Sequence, residues 1–490
     1  MSALADRIEQ VCSIDPSANA IEFEGQWSSW GQLATTAAQA ARLVKAPGAQ
    51  VGVLLRNRPV CIGLLLGVLR AGGCVVTINP GRGIERTRRD VEALELATLM
   101  GTSDDLDAVV GVRSTATLLR ADALGAPAVV TPAAAVAPAP SRAGVAVRML
   151  TSGTTGPPKR IDLGYDTLER VLVGAAHYGS THSASTELRR GVAVVNSPLV
   201  HLGGLFRILT CVTDGRPFVF LERFSVEAWL DAVRRHRPAT ASLVPTALRM
   251  VLEADPDPEH LSSLRSVVSG TAPLDPDDAD AFEERFGVPV LVSYAATEFG
   301  GSVTGWNVED HRRHWQAKRG SVGRAHSGTR IRVVDETTGD ELPAGAAGVL
   351  EVQAAQLGST AWIRTTDQAR IDADGFLFIL GRADHAIIRG GFKVLPGDVT
   401  TALERLPQVR GAAVVGLDDR RLGAVPAAVV ELRDGAAHDV EALQSQLALV
   451  LSPYERPAQL RVVDRLPRTD SGKVDLVAVR ELFSDTTRGG

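Results

Sequence analysis

Short apolar runs alternate along most of the chain with longer stretches whose apolar positions recur at helical spacing. Val51–Leu55 predicts a strand, Val60–Leu69 a buried helix and Cys74–Ile78 a second strand. Val145–Leu150, Val192–Val195, Phe218–Leu221, Thr240–Val244, Ser266–Val268 and Val290–Val292 continue the strand series, with amphipathic helices such as Val226–Arg235 and Asp277–Phe286 between them. Strand–helix alternation builds parallel sheets covered on both faces, and such sheets take ligands beyond the carboxyl ends of their strands. The Ala/Pro run Thr131–Ala143 cannot form a continuous helix and reads as a surface connector. Past Thr329 the pattern changes: Ile331–Val334 and Val349–Val352 are short strands separated by Gly339, Pro343, Gly345 and Gly348, which suggests a small barrel or sandwich. After Arg382 it changes again, and Val394–Gln408, Ala412–Val415 and Ala427–Glu431 read as a small α/β unit. The expected division is therefore 1–382 and 383–490, with no internal repeat.

Composition narrows the class. A chain of 490 residues exceeds one core, and 45% hydrophobic with 22% charged residues is ordinary for a soluble globular enzyme. A net charge of −5 without a basic stripe argues against nucleic acid as a partner. Cys12, Cys61, Cys74 and Cys211 are scattered with no C-x-x-C spacing, which fits reduced, buried thiols in a cytoplasmic protein. Met1–Gln10 has no long apolar core, and Val60–Leu69, bracketed by Arg58 and Arg70, is too short to span a bilayer.

The densest chemistry lies at Leu150–Ile161, L-T-S-G-T-T-G-P-P-K-R-I. Thr151, Ser152, Thr154 and Thr155 surround Gly153 and Gly156, and Lys159 closes the run. Glycines permit close backbone approach, hydroxyls add donors and the lysine adds charge, so the loop suits a polyphosphate better than it suits a bland Ser/Thr/Gly surface loop. No Gly-Lys-Ser/Thr ends it, which separates it from the P-loop of common nucleotide hydrolases. Gly270, Thr271, Ala272 and Pro273 follow a strand and make a tight loop able to lie flat on a planar ring. In the turn Ser293–Glu298, Tyr294 suits stacking on a base, Thr297 a phosphate hydrogen bond and Glu298 a hard cation. Asp367 is a candidate for a ribose diol, both of whose hydroxyls a carboxylate can accept; alone it reads as a turn aspartate. Arg382 and Asp384 stand where the chain leaves the third region, and Arg389-Gly390-Gly391 is a mobile tight turn. Near the end, Lys473 is held by Gly472 in L-P-R-T-D-S-G-K and can reach into a cleft, although an isolated terminal lysine is ordinarily a surface charge. His201 leads into Gly203 and Gly204 at a strand-to-helix turn, where structural and site roles both stay open.

In order and spacing these blocks resemble the adenylate-forming superfamily of acyl- and aryl-CoA synthetases, peptide-synthetase adenylation domains and luciferases. The resemblance covers nearly the whole chain and is most specific at Thr151–Lys159 and Leu466–Lys473. It implies an α/β fold: a large N-terminal domain of two doubly wound subdomains plus a small β-barrel, and a small mobile α+β C-terminal domain pivoting near Asp384. It also implies roles. Thr151–Lys159 would hold the β- and γ-phosphates of ATP, Gly270–Pro273 and Tyr294 adenine, Thr297 the α-phosphate, Glu298 Mg²⁺, and Asp367 with Arg382 the ribose. Lys473 would bridge the acid carboxylate and the α-phosphate, His201 would line the acyl pocket or gate the thiol tunnel, and Arg389–Gly391 would serve acyl transfer. Three positions depart from the family pattern: Thr366 replaces the usual glycine before Asp367, Ala295 replaces the glycine after Tyr294, and Arg160 replaces the glycine after Lys159.

Amino-acid-activating relatives carry an aspartate after the His201-type motif; Leu205-Phe206-Arg207-Ile208-Leu209 has none, which disfavours amino acids. Gly203, Gly204, Gly300 and Gly301 would leave room for an acyl group walled by Phe206, Phe299 and Trp306, pointing to a medium-sized, bulky or aromatic carboxylic acid. Only Val474–Gly490 follow Lys473, without a carrier-protein domain, so coenzyme A is the expected acceptor, in a monomer or homodimer. An amine acceptor, as in an amide synthetase, and loading of a separate carrier protein are the alternatives. Joint retention of Lys473, Glu298 and Asp367 argues against a non-catalytic binding protein.

Overall fold

The computed structural model describes residues 2–110, 115–132, 140–150, 159–172, 186–382, 387–389, 392–419, 422–436, 438–451, 453–469 and 472–484. By compactness the chain divides into two units: Met1–Ser152, Pro158–Gly320 and Ala354–Ser359 in one, Ser321–Gln353 and Thr360–Gly490 in the other.

In the first unit a seven-stranded sheet runs in the order Val129–Thr131, Thr117–Arg120, Thr98–Gly101, Gln50–Leu54, Cys74–Ile78, Val145–Leu150, Arg160–Gly164. Its interior pairings are parallel and its two outermost strands antiparallel. The continuous apolar run after Arg58 becomes the helix Pro59–Arg70, opened by a proline in its first turn and buried from Val60 through Leu69. That helix packs tightly on Trp30–Ala41, which a Ser29/Gln32 capping box starts. A Cβ on Gly67 would lie 2.3 Å from the Ala37 carbonyl oxygen, so glycine there sets how closely the two helices approach. A smaller sheet joins Ala193–Val195, Phe218–Phe220, Asn19–Phe23 and Gln26–Ser29.

Elsewhere in this unit Thr240–Ser242, Ser266–Ser269 and Val290–Ala296 pair in parallel, and Gly301–Gly305 returns antiparallel to the last of them. The strand expected to end at Val292 thus continues to Ala296, and the turn expected over Ser293–Glu298 shrinks to the 3-10 turn Thr297–Phe299. Cross-strand pairing with Gly301–Gly305 extends it through Ser293, Tyr294, Ala295 and Ala296, of which only Tyr294 favours a strand by itself.

The second unit holds the four-stranded antiparallel sheet Arg330–Val334, Ala347–Gln353, Ile363–Ile371, Leu377–Arg382, in the stretch expected to form a small barrel or sandwich. It also holds the long hairpin of Val409–Asp419 and Gly423–Leu432, with Gln459–Val463 parallel beside the second strand. Side chains alternate across this hairpin. Ala412, Val414, Ala428 and Val430 pack against the helices Pro396–Glu404 and Val440–Leu447. Ala413, Val415, Ala427 and Val429 pack against Val479 and Phe483 of Leu476–Ser484. Asp384, about which the expected terminal domain would pivot, lies outside the described residues. Among the described residues no helix is long and apolar enough to cross a membrane.

Candidate active site

In the first unit Val145–Leu150 and Arg160–Gly164 run antiparallel with Leu150 and Arg160 as their closing pair, and the phosphate-loop candidate is the sequence between them. Thr151, Ser152, Gly153, Thr154, Thr155 and Gly156 lie outside the described residues; Lys159 is exposed at the start of the return strand. Arg160 follows as an ordinary extended strand residue, so no glycine is required there. Its Nη2 donates to both carboxylate oxygens of Asp90, at 2.8 and 2.6 Å, and its Nη1 to the Thr77 carbonyl at 2.9 Å.

The Gly270–Pro273 loop leaves the end of Ser266–Ser269 against the neighbouring strand. A Cβ on Gly270 would lie 2.9 Å from Ser293 Oγ and 3.1 Å from the Ser293 carbonyl oxygen, so the loop's flatness depends on that glycine. Thr271 has φ +71°, a strained conformation for a β-branched residue and one found mostly at functional sites. Tyr294 opposes Thr304, and a register shift follows between Tyr294 and Ala295. Ser302 Oγ lies 3.2 Å from the Tyr294 carbonyl and 3.0 Å from that of Thr304, and can donate to either across this irregularity. Ala295 and Ala296 sit in the strand without positive φ, so replacing glycine after Tyr294 imposes no strain.

The Thr297–Phe299 turn is closed by Gly300, whose φ is +67° and whose N–H donates to the Thr297 carbonyl at 3.0 Å. Phe299, only 2% exposed, anchors the turn with its ring 5.9 Å from that of Tyr294. Thr297 is thereby left half-buried and Glu298 exposed. Sequence reasoning missed Gln356, a 3%-exposed amide packed beside Gly300 and Gly301, with Nε2 3.3 Å from the Ser302 carbonyl. A lone amide in the apolar stretch Ala354–Leu357 is the signal that could have found it.

His201 is the N-cap residue of the helix Leu202–Thr213, which packs against the Gly301–Gly305 strand, and Phe206 is half-buried on that helix. The four glycines expected to make room differ in kind. A Cβ on Gly203 would meet nothing within 4 Å, whereas one on Gly204 would lie 2.0 Å from the Pro198 carbonyl oxygen. Gly300 and Gly301 have φ +67° and +142°, so their backbone conformations demand glycine. Gly203 alone of the four marks removable space. Phe299 and Trp306 do not stand free as pocket walls: Phe299 is the turn's anchor, and Trp306, 4% exposed, packs edge-on against His311 and Trp315.

In the second unit Asp367 and Arg382 are register partners on adjacent antiparallel strands. The Asp367 N–H donates to Thr365 Oγ1 at 3.0 Å, and that hydroxyl donates to the Leu350 carbonyl at 2.8 Å. Thr366 lies in the strand without positive φ, so the departure from glycine is accommodated. Lys473 sits in a backbone-pinned turn: its carbonyl accepts from the Thr469 N–H at 2.7 Å, and Gly472, with φ +78°, donates to the Thr469 carbonyl at 2.8 Å. Arg389 Nη1 lies 3.0–3.1 Å from the carbonyls of Pro453, Tyr454 and Arg456, which ties Arg389 to the 453–456 stretch. Asp384, Gly390 and Gly391 lie outside the described residues.

Burial pushes the thiols of Cys12, Cys61 and Cys211 up to about 11 and that of Cys74 up to about 12, so none offers a thiolate near neutrality. Among the described residues no cluster of three or more His, Cys, Asp or Glu side chains gathers to hold a metal ion. An exposed lone carboxylate such as Glu298 fits Mg²⁺, which typically takes one or two carboxylates together with substrate phosphates.

Comparison with known proteins gives the family. The AMP-binding enzyme profile matches residues 8–362, and the profile of the AMP-binding enzyme C-terminal domain matches 398–473. The sulfoacetate–CoA ligase of Cupriavidus necator is 30% identical over 92% of this chain and 91% of its own. ATP-bound MatB from Rhodopseudomonas palustris matches with a TM-score of 0.82 and 25% identity, over 99% of this chain and 100% of that one. The amide bond synthetase McbA from Marinactinospora thermotolerans matches with a TM-score of 0.76 and 27% identity, over 98% and 100%. The chain belongs to the AMP-binding enzyme family of the adenylate-forming superfamily. It is an AMP-forming ligase of the acyl-CoA synthetase type.

Proposed function

We propose that the protein activates a carboxylic acid with ATP and passes the acyl group to coenzyme A. The supporting observation is the 30% identity with a CoA ligase over 92% of this chain. An oxygen of the acid attacks the α-phosphorus, the bond to the bridging oxygen breaks, and pyrophosphate leaves with its electron pair. The thiolate of coenzyme A then attacks the acyl carbon, the bond to AMP breaks, and the thiol proton passes to solvent. No nucleophile from the protein is consumed, which suits a chain whose described thiols are all buried.

The protein's part is charge and position. A carboxylate and a polyphosphate repel; Lys473 bridges the acid and the α-phosphate, and the Thr151–Lys159 loop grips the β- and γ-phosphates. Thr297 donates to the α-phosphate, Asp367 and Arg382 hold the ribose, and the Gly270–Pro273 loop with Tyr294 holds adenine. Glu298 would hold Mg²⁺, which would supply neutralisation of the charge that develops as pyrophosphate departs. His201, Gly203, Phe206, Gly300 and Gly301 border the acyl group, with Gly203 leaving space for bulk. Between half-reactions the terminal domain, 383–490, turns about Asp384, withdrawing Lys473 and presenting Arg389, Gly390 and Gly391 to the thiol. Buried, unpaired cysteines support a cytoplasmic setting.

Likeness to an amide bond synthetase supports a second reading, in which a free amine intercepts the acyl-adenylate. Release of AMP and pyrophosphate that depends on an added acid tests the activation step. ATP turnover indifferent to any acid contradicts it.

A further inference from the structure

Arg160 occupies the position after Lys159 where the resembled family has glycine, and its surroundings explain what a long cation does there. The Arg160 side chain is 9% exposed and makes its ion pair with Asp90 almost out of water. Asp90 belongs to the helix Ile84–Leu94, and the Thr77 carbonyl to the core strand Cys74–Ile78. The ladder between that strand and Val145–Leu150 pairs Val75 with Val147 and Val76 with Arg148. Beyond it, at the carboxyl end of the strand, the Thr77 carbonyl accepts from Arg160. One guanidinium therefore fastens the returning limb of the phosphate hairpin to a helix and to a central strand.

Such a pair is worth more than an exposed one. Charge-assisted bonds strengthen away from water, and a guanidinium satisfied on several sides has surrendered its rotamer freedom before ligand arrives. Glycine at 160 would leave the Asp90 carboxylate and the Thr77 carbonyl short of a donor in a largely enclosed site.

We infer that Arg160, with Asp90 and the Thr77 carbonyl, is a positioning residue for the polyphosphate of ATP: it fixes the strand end that carries Lys159, whose ammonium serves the β- and γ-phosphates. This rests on the phosphate-loop role given above. The clamp lies on the part of the site that AMP does not use, so it governs ATP affinity and leaves AMP affinity alone.

Calorimetric titration of the full-length protein with Mg·ATP and, separately, AMP tests this. Arg160→Ala weakens Mg·ATP binding by about tenfold and changes AMP binding by less than about twofold, with Arg160→Lys between. Arg160→Ala leaves the half-buried Asp90 carboxylate unpaired and can damage the fold. The double variant Arg160→Met/Asp90→Leu removes both charges together and keeps the fold, with the same ATP-selective loss. Lys159→Ala is the control for the loop. If Lys159→Ala weakens ATP binding but the folded Arg160 variants do not, the clamp is structural only and the inference falls. Equal loss of ATP and AMP affinity overturns it as well. If Lys159→Ala leaves ATP binding untouched, the phosphate-loop reading falls, and the inference with it.

Discussion

Asp367 and Arg382 stand directly opposite each other on two adjacent antiparallel strands, with a register shift just beyond them between Gln368 and Ala369. The proposed ribose role asks the Asp367 carboxylate to accept from the hydroxyls of a vicinal diol. Asp367→Ala accordingly weakens ATP binding by about a hundredfold but has little effect on 2′,3′-dideoxy-ATP, which lacks both hydroxyls. Fluorescence or calorimetric titration with the two nucleotides checks this. Equal losses would mean that Asp367 acts on the fold and not on the ribose.

The glycines of the Leu202–Thr213 helix give opposite expectations. Gly204→Ala places a Cβ 2.0 Å from the Pro198 carbonyl oxygen and destabilises the protein; overpacking of this kind costs about 1–3 kcal/mol. Gly203 is exposed with open space around it, so Gly203→Ala stabilises slightly, by about 0.5–1 kcal/mol of helix propensity. Gly203→Leu folds but narrows the range of accepted acids toward smaller ones. Thermal melts alongside product yields from short and bulky acids separate the two positions.

His311 gives the stability curve a pH edge. Its ring is 4% exposed, stacks on Trp315 at 4.9 Å, and has Nε2 3.6 Å from Glu283 Oε2. Burial holds its pKa below the usual histidine range, against the opposing charge of Asp280, so the unfolded chain protonates first. Its contribution is fully present above the unfolded pKa of about 6.5 and is lost as pH falls through that value toward the folded one. Denaturant titrations followed by tryptophan fluorescence between about pH 7.5 and 5.5 show a shallower fall in stability for His311→Gln than for the parent protein. Identical slopes would remove His311 from the account.

Much of this was legible in the sequence. The apolar runs mark the strands because five or so consecutive apolar residues have few other uses in a mixed fold. Glycine-rich blocks mark the loops because conformations such as Gly472 at φ +78° and Gly300 at +67° admit little else. What stayed hidden depends on distant partners. Arg160 meets Asp90, 70 residues away, and nothing local to either announces the pair. Ser293, Ala295 and Ala296 around Tyr294 continue the strand because Gly301–Gly305 returns beside them. Phe299 and Trp306 were readable as bulky groups near the site, but sequence gives their size and not their direction, and both turn into packed interior.

The role proposed for Lys473, which stands in a turn pinned through Thr469 and Gly472, confines it to the adenylation step. Lys473→Ala lowers acid-dependent pyrophosphate release by about a hundredfold or more, while thioester formation from supplied acyl-AMP stays within about threefold of the parent. Stopped-flow or quenched assays of each half-reaction read this directly, and equal losses in both would remove Lys473 from its assigned role.

The central claim, an acid activated with ATP and handed to coenzyme A, is tested most directly by mass spectrometry. Reactions contain the protein, ATP, Mg²⁺, coenzyme A and a panel of carboxylic acids from small to aromatic. The account predicts an acyl-CoA product together with AMP for at least one acid. Acyl-AMP that accumulates with coenzyme A present and never becomes a thioester would contradict it, leaving an amine or a carrier protein as the acceptor.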